Sequence, residues 1–105
     1  MRFIEKLRAK SDIASVYLSM HDYDYCTCRK LVRGVISPTN AIIAYRILLQ
    51  TGKDGKYSIL QKYDIDGLGL QSELKRIDNA IDFIDQRIQY LEVTCKTDSK
   101  QFDIK

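Results

Sequence analysis

An α+β fold is what this sequence predicts: a small antiparallel β-barrel over residues 13–66, preceded by a short helix and followed by a long amphipathic one. Three observations carry that prediction. Apolar residues at Leu70, Leu74, Ile77, Ile81, Ile84, Ile88 and Leu91 keep a four–three spacing that no strand can carry. Residues 13–20 and 57–65 alternate side chains in the manner of half-buried strands. Asp54-Gly55 stands between two apolar runs, the strongest short-range signal for a hairpin.

Taken in order, residues 2–9 read as a short helix, with Phe3, Ile4 and Leu7 on one face and Arg2, Lys6 and Arg8 on the rest. Residues 13–20 place Ala14, Val16, Leu18 and Met20 on one side of a strand. Ile13, Val16, Tyr17 and Met20 also have helical spacing, but β-branched and aromatic content favours the strand. Residues 21–25 form the loop that follows, and 27–37 a second strand bent at Gly34. Ser37-Pro38 has two meanings. It can open a helix, with Ser37 as N-cap, Pro38 in the first turn and Gly52 at the end, or it can be a turn between strands. The hairpin signal further on favours the turn, so 41–50 and 57–65 pair as strands and Asp66-Gly67-Leu68-Gly69 forms the corner. A helix over 70–94 completes a single domain of residues 1–95, leaving 96–105 as a frayed tail.

So few strands bury most apolar surface by closing into a small barrel with a helix over one opening. Phe3-Ile-Glu-Lys-Leu-Arg8, Ser15-Val-Tyr-Leu18, Gly34-Val-Ile-Ser37, Ile42 to Leu49 and Tyr57 to Ile65 occur in the order of an Sm-like or SH3-like barrel. Over residues 2–66 the chain thus resembles the Sm-like proteins, including the Hfq-type RNA chaperones. That resemblance implies the barrel and an RNA ligand. It departs from the Hfq-type pattern at Gln61-Lys62-Tyr63, where those proteins carry a Lys-His pair lining the RNA pore.

Composition narrows the classes further. The chain has 105 residues, 30% of them charged and 45% hydrophobic, as an ordinary globular domain does. No apolar run approaches the roughly 18 residues that span a bilayer, so no membrane partner is expected. The charged N-terminus does not read as a signal peptide, and three cysteines suit a reducing, cytoplasmic setting. Net charge is +3, with 11 Lys/Arg against 7 Asp/Glu in residues 1–69 and 6 against 7 in residues 70–105. That surplus permits an anionic partner without requiring one.

Chemistry-bearing patterns are sparse. His21, Asp22, Asp24, Cys26 and Cys28 fall within eight residues, but a structural zinc site needs a second Cys/His pair, and only Cys95 remains elsewhere. With one histidine in the chain no nucleophilic triad is suggested, and Gly67-x-Gly69 is no phosphate loop. The expectation is no catalysis, no metal and no cofactor. Seven tyrosines are more informative. Tyr25, Tyr45 and Tyr63, with Arg33 and Lys62, are the candidate ligand-binding set, since rings beside cations suit either stacked bases or a protein surface.

The long helix adds a second surface. Beside its a/d line lie Phe83, Tyr90 and Ala80, with Arg87 between the two rings, so the apolar arc covers roughly 160° of the circumference. The e positions Gln71, Asp78, Asp85 and Glu92, three of them acidic, border the other side and oppose a simple coiled coil. Phe83, Tyr90, Ala80 and Arg87 are therefore the expected self-association site. The leading functional expectation is a non-catalytic regulatory protein that binds a protein partner and forms a homo-oligomer, of a size that suits a phage or mobile-element regulator. The alternative is an Sm-like RNA binder. A third reading is an all-α DNA-binding regulator dimerising through residues 70–93.

Overall fold

The computed structural model describes the backbone of residues 2–104 and the side chains of residues 2–94. The tail expected over 96–105, and Cys95, lie outside the described side chains. Helices α1 (Arg2–Val32), α2 (Pro38–Lys62) and α3 (Gln71–Ile104) make up the fold, and α-helix accounts for 86% of the chain. No strand occurs among the described residues, so the α+β barrel is overturned, and the Sm-like and SH3-like resemblance falls with it. The all-helical architecture of the third reading is the one the chain adopts.

Contacts fix an up-down-up arrangement. Asp24 meets Tyr45 while Asp12 meets Lys62 and Tyr63, so α1 and α2 are antiparallel. Tyr17 meets Arg76 and Asp24 meets Arg87, so α1 and α3 run the same way. Lys56 pairs with Asp78 and Arg46 with Glu92, which makes α2 antiparallel to α3.

Each predicted strand fails for a readable reason. In residues 13–20 it is Ile13 and Met20 that are buried, with Val16 and Tyr17 partly so, which is the helical spacing and not the alternating one. Between 57 and 65, Ile59 and Tyr63 go inside, four residues apart, while Tyr57 and Leu60 stay out. β-branched residues lower helix propensity only slightly, and packing of one face outweighs them.

Gly34 is no strand bend. Its φ of 75° ends α1, and Val35 N–H donates to Lys30 O (2.8 Å) while Gly34 N–H donates to Leu31 O (3.1 Å). These two bonds are the Schellman closure, which needs a left-handed residue just past the helix end. Ser37 then opens α2, its Oγ accepting from Asn40 N–H at 3.1 Å, with Pro38 in the first turn. The helix-start meaning of Ser37-Pro38 is thus the one realised, but the helix runs on through Gly52 to Lys62.

Asp54-Gly55 lies inside α2, and the predicted hairpin does not exist. Its glycine serves helix packing. A Cβ on Gly55 would stand 3.1 Å from Val16 Cγ2, and one on Gly52 would stand 2.6 Å from Met20 Cε. Small residues at i and i+3 let α1 lie close against α2, while Gln50 Nε2 donates to Asp54 Oδ1 (2.9 Å) on the outer side. The predicted corner is real: a single turn begins at Asp64, whose Oδ1 accepts from Gly67 N–H, and closes at Gly69 before α3.

The core has two halves. One gathers Met20, Ala41, Ile42, Tyr45, Leu48, Ala80, Ile84, Ile88 and Leu91. The other gathers Ala9, Ile13, Ile59, Tyr63, Ile65, Leu68, Leu70 and Ile77. Val16 and Ile81 pack against both and join them.

Candidate functional site

The groove between α1 and α3, near the end carrying the α1–α2 loop, brings a buried ion pair against an apolar cavity. It encloses about 280 Å³ and is lined by Cys28, Leu31, Tyr45, Phe83, Gln86, Arg87, Tyr90 and Leu91. Asp24 lies beneath it, 7% exposed, and is the one buried charged residue among those described. Helical spacing explains its place: Ile13, Tyr17, Met20 and Asp24 follow a four–three–four rhythm on one face of α1.

A buried carboxylate must be satisfied or neutralised. Here both happen at one oxygen. Tyr45 O–H donates to Asp24 Oδ1 at 2.8 Å, from the core side. Arg87 Nε stands 2.7 Å from the same oxygen, off the line of its N–H, so the contact is an ion pair and not an aligned hydrogen bond. The Arg87 guanidinium also lies 4.7 Å from the centre of the Phe83 ring, a cation–π distance. Burial, reinforced by the hydrogen bond to the Asp24 carboxylate, pushes the Tyr45 hydroxyl well above its ordinary pKa. A tyrosine held so firmly in its protonated form is a poor proton shuttle at neutral pH. This cluster ties the three helices together.

The candidate ligand-binding residues do not come together. Tyr25 is 65% exposed on α1, and Arg33 is exposed just past its end. Tyr45 is 1% exposed, in the core. Lys62 and Tyr63 lie at the other end of α2, roughly 26 Å along the axis from Tyr45 at 1.5 Å per residue. There Tyr63 O–H donates to Asp12 Oδ2 (2.6 Å), and Lys62 Nζ is 3.6 Å from the same atom and 5.3 Å from the Tyr63 ring centre. The hydrogen bond to Asp12, then burial, pushes the Tyr63 hydroxyl up. The sequence groups these five as one ligand-binding set, but the fold spreads them over α1, α2 and the residues just past their ends.

The four residues of the expected self-association site are close neighbours on α3, but they differ in depth. Phe83 is 43% exposed and Tyr90 71%, whereas Ala80 is 4% exposed and packs in the core. Arg87 is partly buried against Asp24. Of the acids bordering the other side, Asp78 pairs with Lys56 and Glu92 with Arg46 on α2, both still partly exposed, while Asp85 stays exposed and accepts from Gln89 Nε2. His21, Asp22 and Cys26 point to solvent while Asp24 points inward, because successive helical residues are 100° apart. Among the described residues no group of three or more His, Cys, Asp or Glu side chains is placed to hold a metal ion.

Sequence reasoning missed Asp24 as a core residue and Arg87 as its counter-ion. Its signal was an acid in register with Ile13, Tyr17 and Met20, which becomes visible only once α1 is read as one long helix. No helix of the described residues is long and apolar enough to cross a membrane. Comparison with family models, with curated proteins and with solved structures finds no match to this chain.

Proposed function

We propose that this chain is a non-catalytic binding and regulatory protein that works through protein–protein contacts and self-associates across the α1–α3 face. One observation carries the reading. Phe83 and Tyr90 on α3 line the groove while remaining 43% and 71% exposed. Fully buried aromatic residues cover about 150–250 Å² each, so these rings leave on the order of 100 Å² apiece in water. A groove between two helices, rimmed by rings and floored by Leu31 and Leu91, has the form of a site that takes another helix. Soluble monomers seldom expose such a patch, and aromatic side chains at a pocket are the usual anchors of protein interfaces.

Sedimentation of the wild type and of a Phe83→Ser, Tyr90→Ser variant tests this. The wild type is expected to sediment as a dimer or larger species at micromolar concentration and the variant as a monomer with an unchanged helical spectrum. A wild type that stays monomeric would remove self-association through this face.

A further inference from the structure

The α1–α2 tip has an unusual make-up. From Tyr25 to Lys53 the chain carries five Lys/Arg and no Asp/Glu. Arg46 is held by Glu92, and Lys53 lies far down α2. The other three, Arg29, Lys30 and Arg33, crowd the end of α1, are exposed, and have no ion-pair partner among the described residues.

Between these cations the tip exposes aliphatic side chains. Val32 is 82% exposed and Val35 66%, and Val32 is the most exposed large hydrophobic residue of the described chain. Val35 stands where a Schellman closure normally packs an apolar residue against the last turn of the helix. Here that turn offers Arg29 and Lys30 in place of an apolar partner, so Val35 is left bare. The backbone is fixed by two hydrogen bonds, yet the side chain that should seal it faces water.

We propose that this tip docks end-on onto an anionic phospholipid surface, Val32 and Val35 entering the boundary below the headgroups while Arg29, Lys30 and Arg33 meet the phosphates. Charge alone would suit nucleic acid equally. The valines favour lipid, because phosphate contacts leave an exposed aliphatic side chain unused, whereas at a membrane boundary it is buried below the headgroups the cations bind. The contact is peripheral, so the lack of a membrane-spanning helix is no obstacle, although the sequence alone suggested no membrane partner. It is independent of self-association, since neither Phe83 nor Tyr90 takes part.

A cation close to an anionic leaflet strengthens partitioning about fivefold, so three give about a hundredfold. Two valines inserted to headgroup depth add a smaller factor that salt does not screen. Flotation of the full chain with phosphatidylcholine vesicles, with and without phosphatidylserine, reads this out. The wild type is expected to float with the phosphatidylserine vesicles, and less so in high salt. Arg29→Gln, Lys30→Gln, Arg33→Gln should lower that partitioning about a hundredfold. Val32→Ser, Val35→Ser, which keeps every charge, should lower it severalfold while leaving binding to duplex DNA unchanged. All five positions are exposed, so each variant should keep the helical spectrum. Equal flotation with both vesicle types would overturn the proposal, as would a valine variant that floats like the wild type. Tight DNA binding without flotation would assign the cations to nucleic acid instead.

Discussion

Asp24 shows how a single side chain sets the order of this fold. Tyr45 and Arg87 reach it from the two other helices, so one carboxylate oxygen joins all three. Replacing Tyr45 by Phe keeps the ring and removes the donor, and should destabilise by roughly 1–2 kcal/mol in urea unfolding. Arg87→Ala should lower stability by about 1–3 kcal/mol, since it strips a buried carboxylate of its counter-ion while the arginine itself is partly solvated. The tyrosine also sets an alkaline limit. Its pKa is raised on folding, so its contribution is complete below the unfolded value of about 10 and is lost as pH climbs through the folded one. Wild-type stability should therefore fall more steeply above about pH 10 than that of Tyr45→Phe; parallel curves would mean that the hydroxyl ionises freely. Tyr63 is shifted in the same direction and belongs in the same titration.

At the scale of elements, the long C-terminal helix was legible and the other two were not. A four–three rhythm kept over three heptads has no β counterpart, and Ile77, Ile84, Ile88 and Leu91 are buried as it implies, with Ile81 partly so. Replacing Ile84, which is 2% exposed, by Ala should destabilise by roughly 2–5 kcal/mol; a change under about half a kcal/mol would place the stripe against solvent. In α1 and α2 the same rhythm is broken by what the core contains. Asp24 is an acid at an inward position, and Gly52 and Gly55 leave α2 without apolar residues for two turns. Gly34 and Ser37-Pro38 do mark helix ends, but Asp54-Gly55 imitates a turn and pulls the reading of both toward strands. Gly52 offers a direct check. Alanine in a helix interior ordinarily gains about 1 kcal/mol over glycine, but here its methyl would meet the end of the Met20 side chain. Gly52→Ala alone should thus be close to neutral, whereas in a Met20→Ala background it should stabilise by about 1 kcal/mol. A double-mutant cycle with no coupling would show that Met20 simply swings aside.

For the whole molecule, the division of the core governs how folding and association are linked. The half that holds Tyr45, Ala80, Ile84 and Leu91 also underlies the α1–α3 groove, so whatever covers that groove adds buried area to one end of the bundle only. A second copy bound there binds the folded chain and not the unfolded one, and mass action then makes stability depend on protein concentration. The thermal midpoint of the wild type should rise with each dilution step reversed, from sub-micromolar to tens of micromolar chain. The Phe83→Ser, Tyr90→Ser variant should show no such rise. Its stability should lie within about 1 kcal/mol of the dilute limit of the wild type, because Tyr90 is largely exposed while Phe83 is only half-buried against Arg87. A wild-type midpoint that ignores concentration while sedimentation still reports a dimer would mean that the association draws on some other surface. The rings beside Arg87 would then be free for a foreign helix, and a labelled amphipathic peptide should compete for them in proportion to its apolar face.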